Sequence, residues 1–162
     1  MAKRLVLISL ISLILMFIDG GVTAQELSPT LGVAPHTFEL DVLPGEERFE
    51  KIKVFNQSKM PIPISTGLTD FTAVDETGQM IFDKTSQDPS FASRFWFEIE
   101  NPNFILDPGE MEEVKFKISV PENAEPGGKY AVMLFEPQLP SYYFEEGQPR
   151  AIPVIGVLFL IS

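Results

Sequence analysis

The chain contains no cysteine and one histidine, His36, in 162 residues. The first absence excludes disulfides, thiol chemistry and a lipid-modified N-terminal cysteine. The two together exclude a Cys–His catalytic pair, a zinc cluster and any paired-imidazole site. His36 precedes a strand-like run, a place for capping or solvent contact. Basic residues are also scarce, 12 Lys+Arg against 23 Asp+Glu, for a net charge of −11. That is the wrong sign for a nucleic-acid backbone or an anionic lipid surface. No G-x-S-x-G motif and no phosphate-binding loop occurs. The expectation is a non-enzymatic chain without a cofactor and without a nucleic-acid partner.

What is present begins with an address. Lys3 and Arg4 lead into an apolar run over residues 5–18, and Val22, Thr23 and Ala24 offer small residues before Gln25. Residues 1–24 read as a signal-peptide helix. The alternative is an uncleaved anchor, which would make this segment the sole membrane contact, but the run is shorter than the roughly 20 apolar residues a spanning helix needs. Cleavage removes two of 12 basic and one of 23 acidic residues, so the net charge moves from −11 to −12. Residues 25–162 fit one domain. Export without cysteine fits a prokaryotic protein that is secreted, periplasmic or held at the cell surface and stabilised by packing.

The mature chain alternates with period 2 and carries no amphipathic-helix pattern. Phe38, Leu40 and Val42 share one face of a first strand. Leu43-Pro44-Gly45-Glu46 is a turn, and Ile52 and Val54 alternate with Lys51, Lys53 and Phe55 in the strand after it. The same build returns at residues 104–120: Phe104, Ile105 and Leu106, then Asp107-Pro108-Gly109-Glu110, then Val114, Phe116, Ile118 and Val120 alternating with Glu113, Lys115, Lys117 and Ser119. Proline presets φ at the second turn position and glycine takes the positive φ of a type II turn at the third. Both units read as hairpins. Ile62 to Leu68 forms a strand in which Pro61 and Pro63 point to an edge or to the strand's beginning. Residues 70–90 form a polar excursion, and residues 91–99 a strand with Phe95, Phe97 and Ile99 opposite Trp96, Glu98 and Glu100. Residues 129–135 are apolar on both faces, as a central strand would be. Residues 152–161 form a last strand, interrupted by Pro153 and Gly156.

About seven short strands separated by turns predict an all-β, antiparallel immunoglobulin-like β-sandwich. If the two Pro-Gly-Glu units supply strands A and B, then D and E, one sheet runs A–B–E–D. The facing sheet C–F–G comes from residues 62–68, 129–135 and 152–161. The segments GVAPHTFELDVLPGEERFEKIKVFNQS and SFASRFWFEIENPNFILDPGEMEEVKFKIS resemble the N-terminal immunoglobulin-like domain of periplasmic pilus chaperones. They are also similar to the immunoglobulin-like ectodomain of WxL-interacting cell-surface proteins, where a Pro-Gly-Glu turn and a Val-Pro…Pro-Gly-Gly-x-Tyr segment recur, here Val120-Pro121 and Gly127-Gly128-Lys129-Tyr130. Tyr130 resembles a tyrosine corner with Pro126 in the usual aspartate position. The chaperone resemblance implies partner binding by β-strand pairing. A pilus chaperone also has a second domain and a basic cleft, and the acidic balance here does not match such a cleft. An ending in an apolar strand points to the first module of a longer protein.

Three sets of side chains are candidates for function. Asp70, Asp75, Glu76 and Asp83 fall in one excursion and are weak calcium candidates, because their spacing matches no EF-hand; a solvated acidic loop is the plainer reading. Trp96 is an interface or sugar-stacking candidate if it faces outward, and a core residue if the 70–90 excursion covers it. Tyr142, Tyr143 and Phe144 on a long loop are interface anchors, and Ile152 and Val154 are strand-pairing candidates at the start of the last strand. Asn56-Gln57-Ser58 spells a glycosylation sequon. The leading expectation is a non-catalytic module for cell-surface structure, adhesion or protein binding, its partner an extracellular or periplasmic protein. The alternatives are a chaperone-like assembly factor and a carbohydrate-binding domain with a cell-wall glycan as ligand.

Overall fold

A computed structural model describes residues 29–73, 80–140 and 152–162. The ten strands are β1 (Leu31–Ala34), β2 (Thr37–Leu40), β3 (Glu47–Asn56), β4 (Ile62–Ala73), β5 (Met80–Asp83), β6 (Phe97–Ile99), β7 (Asn103–Leu106), β8 (Met111–Ser119), β9 (Lys129–Pro137) and β10 (Ile155–Ile161). They form two sheets. One runs β1-β3-β8-β6, and the other β2-β10-β9-β4-β5 with β7 also on β4. All pairings are antiparallel except β10 with β2. This is the predicted immunoglobulin-like sandwich. The expected A–B–E–D order holds with other residues at its ends: Leu31–Ala34 and Phe97–Ile99 occupy the edges.

Neither Pro-Gly-Glu unit is a hairpin. The strand before the first turn, β2, pairs with β10, and the strand before the second, β7, pairs with β4, so each turn carries the chain from one sheet to the other. The turn chemistry explains this. Gly45 and Gly109 hold φ of 82° and 78°, and Glu46 N and Glu110 N donate to Leu43 O and Asp107 O at 3.0 Å, as in type II turns. Type II turns have the wrong twist for a tight hairpin and splay the flanking strands. The turn glutamates reach back, accepting at Oε2 from the N–H groups of Leu43 and Asp107 at 2.9 and 3.0 Å. Each corner then docks on the opposite strand of the β3–β8 ladder. Gly45 N donates to Val120 O and Val120 N to Glu46 O; Gly109 N donates to Asn56 O and Asn56 N to Glu110 O.

Between the sheets, Ile52, Val54, Val114, Phe116 and Ile118 meet Ile62, Ile64, Met133, Phe135, Val157 and Phe159, all buried. Phe116 packs edge-on against Phe159 at 5.4 Å and Phe38 at 5.7 Å between ring centroids. The apolar set expected from alternation is this core, and β9 is central, as its two-faced apolarity predicts. Asn56 is 2 % exposed. Its Nδ2 donates to Met60 O at 2.7 Å and Leu106 O at 2.9 Å, while Oδ1 accepts from Ser58 N and Oγ. The sequon asparagine is therefore a saturated structural group inside the fold, not a surface acceptor.

Residues 91–99 depart from a continuous strand. Ser93–Trp96 form a single 3₁₀ turn, which rotates Phe95 out to 46 % exposure and Trp96 into the core at 4 %. Period-2 reading fails here because a 3₁₀ turn advances three residues per turn. Asp70 anchors the turn: its Oδ1 accepts from Ser93 Oγ and Arg94 N at 2.9 and 2.8 Å, and its Oδ2 from Arg94 Nη1 at 2.5 Å. Arg94 Nη2 also donates to Ser86 O.

Candidate functional site

Several predicted site residues are structural. Trp96 donates its indole N–H to Pro89 O at 2.6 Å and is buried, so it moves from surface candidate to core residue and offers no face to a sugar or a partner. Asp70 is committed to Arg94, and Asp83, its cross-strand neighbour, accepts from Thr85 Oγ1 and N at 2.6 and 2.8 Å. The Thr85 hydroxyl, then its N–H, hold the Asp83 carboxyl below the usual aspartate range. These are the bonds of a tied loop rather than of a cation cage. Asp75, Glu76, Tyr142, Tyr143 and Phe144 lie outside the described residues, as does the signal segment.

Ile152 and Val154 stand differently. They lie just before β10 and are 37 % and 48 % exposed. The expected strand over residues 152–161 begins instead at Ile155, paired with Phe135. Two residues further out that register would set Pro153 against Pro137. Proline has no N–H to give a ladder, so the β9–β10 pairing stops there and Ile152 and Val154 stay exposed.

The other edge of the same segment is open as well. The parallel ladder from β2 meets β10 only over Leu158–Ile161. Leu158 N donates to His36 O at 3.0 Å and Ser162 N to Leu40 O at 2.9 Å, so the even-numbered N–H groups of β10 point toward β2. Gly156 has the same parity but lies ahead of the point where β2 begins. Among the described residues, its N–H therefore has no β2 ladder partner, and exposed Val154 and Ile152 lie just upstream. Gly156 cannot gain a side chain cheaply, since a Cβ there would come within 2.8 Å of Val132 Cγ2. Alternation identified Ile152 and Val154; nothing in the local sequence showed that β2 would fall short of them.

A second feature was missed. Phe82, Phe71 and Tyr130 stand side by side on the outer face across β5, β4 and β9, with Phe71 opposite Phe82 in register and 5.6 Å from the Tyr130 ring. Phe82 and Tyr130 are 55 % and 44 % exposed. Tyr130 thus leans on Phe71 at the surface, away from the tyrosine-corner role.

No family model matches the sequence, and no curated protein matches it. Solved structures do. The class 5 fimbriae chaperone CfaA aligns with TM-score 0.53 at 12 % identity, over 81 % of this chain and 55 % of that one. The CsuC–CsuE chaperone–tip adhesion subunit complex of Acinetobacter baumannii aligns with TM-score 0.51 at 10 % identity, over 82 % and 56 %. A family 123 glycoside hydrolase from Clostridium perfringens also aligns, with TM-score 0.52 at 11 % identity, but over only 27 % of its length. This chain spans a little over half the length of the chaperones it matches. What it shares with them is the immunoglobulin-like fold.

Proposed function

We propose that this chain is a non-catalytic, exported immunoglobulin-like module that binds another protein by strand pairing along the approach to β10. The observation that carries the reading is that the β2 ladder leaves β10 unpaired at Gly156, with Ile152 and Val154 exposed just upstream. Backbone N–H and C=O groups on such an edge supply affinity, and alternate apolar side chains supply register. The fold neighbours include chaperones solved with a tip adhesion subunit, which supports a protein partner. Export is supported by the signal-like pattern of residues 1–24. The net charge of −11 argues against a polyanionic partner. The test is hydrogen–deuterium exchange with an extended peptide of alternating valine and serine. The reading expects new protection over residues 152–157, lost in an Ile152→Asp/Val154→Asp variant. Protection elsewhere, or an unaffected double variant, would count against it.

A further inference from the structure

A second strand-accepting edge lies at the far side of the same sheet, and this inference goes beyond the β10 reading. β5 is the terminal strand of the β2-β10-β9-β4-β5 order, paired only with β4 among the described residues. Natural edge strands are blunted by charge, proline or a bulge. β6 carries Glu98 and β2 carries Glu39. β5 carries one charge, Asp83 at its end, and exposes an apolar side chain on each face, Ile81 at 53 % and Phe82 at 55 %.

The surface beside it continues this character. Phe82 opens the aromatic row that passes through Phe71 to Tyr130. Next to that row lies a groove of about 360 Å³ lined by Phe71, Thr72, Asp83, Phe91 and Tyr130, with Phe91 itself 54 % exposed. Exposed apolar groups concentrated in this way mark an interaction surface. Lys129 sits over the Phe91 ring at 5.7 Å and so is engaged within the wall. The carboxylate at the end of β5, Asp83, is held in its charged form by Thr85.

From these features we infer that β5 accepts an extended segment of another protein in which apolar residues alternate with cationic ones. Main-chain bonds would form along the unpaired side of residues 80–83. One apolar side chain would rest on Phe82 and its neighbour would reach the groove toward Phe91. The cationic positions follow from charge complementarity, since Asp83 closes the strand and the whole chain carries a net charge of −11. Opposite charge raises the encounter rate and rejects acidic competitors.

The probes are three fluorescent peptides of about twelve residues, alternating valine with lysine, serine or glutamate, titrated against the chain while its amide NMR signals are followed. The valine–lysine peptide is expected to bind about tenfold tighter than the valine–glutamate peptide and to shift the amides of residues 80–83. Phe82→Glu should weaken it by about tenfold or more, whereas Phe49→Glu, on the opposite outer face, should leave it unchanged. The amide map needs no variant and so holds even if Phe82→Glu folds poorly. Equal affinity for all three peptides, no binding by any, or shifts confined to residues 155–157 would overturn the inference; the last result would leave the β10 reading standing.

Discussion

The two outer faces of the sandwich are built on opposite principles. On the β1-β3-β8-β6 sheet, Glu47, Lys51, Lys53, Glu113, Lys115, Lys117 and Glu98 cover the solvent side, and their charges are largely answered within the face. Lys51 meets Glu113 at 2.9 Å, and Lys117 lies 3.3 Å from both Glu47 and Glu98. On the other sheet, the side chains on the outer side of β9 and β10 are Tyr130, Val132, Leu134, Leu158 and Leu160, with Phe71 and Phe82 beyond and Val132 only 3 % exposed. The first face has the alternation of an antiparallel sheet with one wet side. The second keeps apolar residues on both sides. The two faces therefore present different surfaces: apart from Phe49, 73 % exposed, the first offers charges largely paired with one another, while the second offers apolar side chains out to the β5 edge.

The comparison can be broken from either side. Phe116→Ala sets the scale for inner packing and should cost about 3–5 kcal/mol in denaturant unfolding; a loss below about 1 kcal/mol would mean that the faces of β8 are reversed. Val132→Asp probes the outer side of the apolar sheet. It should cost about 3 kcal/mol, because it places a carboxylate in a buried position. A cost near zero would make that face as wet as the other.

Acid provides a gentler probe. The Leu43 N–H, then Arg48, hold the Glu46 carboxyl below its ordinary value, and Lys51 does the same for Glu113. A depressed folded-state value stabilises the protein above the ordinary value of 4.5 and is lost as pH falls through the lower, folded one. The thermal midpoint should therefore drop as pH falls below that point, and Glu46→Gln should flatten part of the slope. Lys117 behaves with the opposite sign. Glu98 and Glu47 raise it, so its contribution is lost only as pH rises past its ordinary 10.5. The smallest effect belongs to Lys115→Val on the charged face, expected within about 0.5 kcal/mol of the parent.

Much of this architecture was legible in the residues. Alternation in residues 51–55 and 114–120 assigned Ile52, Val54, Val114, Phe116 and Ile118 to the core, and the two-faced run at residues 129–135 marked the central strand. The Pro-Gly-Glu turns were recognised as type II, yet the twist of that turn also argues against the hairpins drawn from them. That sheet switch follows from turn geometry rather than from hydrophobic pattern. Trp96 was ambiguous because strand and 3₁₀ periodicities place it on opposite sides, and only its bond to Pro89 resolves the two. Asn56 read as a sequon because a local triplet carries no sign of distant partners such as Leu106 O. The lack of a β2 partner at Gly156 depends on where β2 begins against β10, a long-range register that no local stretch encodes. The Pro137–Pro153 opposition could have signalled it once the β9–β10 register was known.

The central claim, that the β2 ladder leaves β10 unpaired at Gly156, is tested most directly by amide exchange at two neighbouring residues. Leu158 N–H is bonded to His36 O, whereas Gly156 N–H points the same way with β2 absent. In the free protein Gly156 should exchange at least about tenfold faster than Leu158, and the valine–serine peptide should slow Gly156 toward Leu158. Equal protection of the two amides in the free protein would contradict the account.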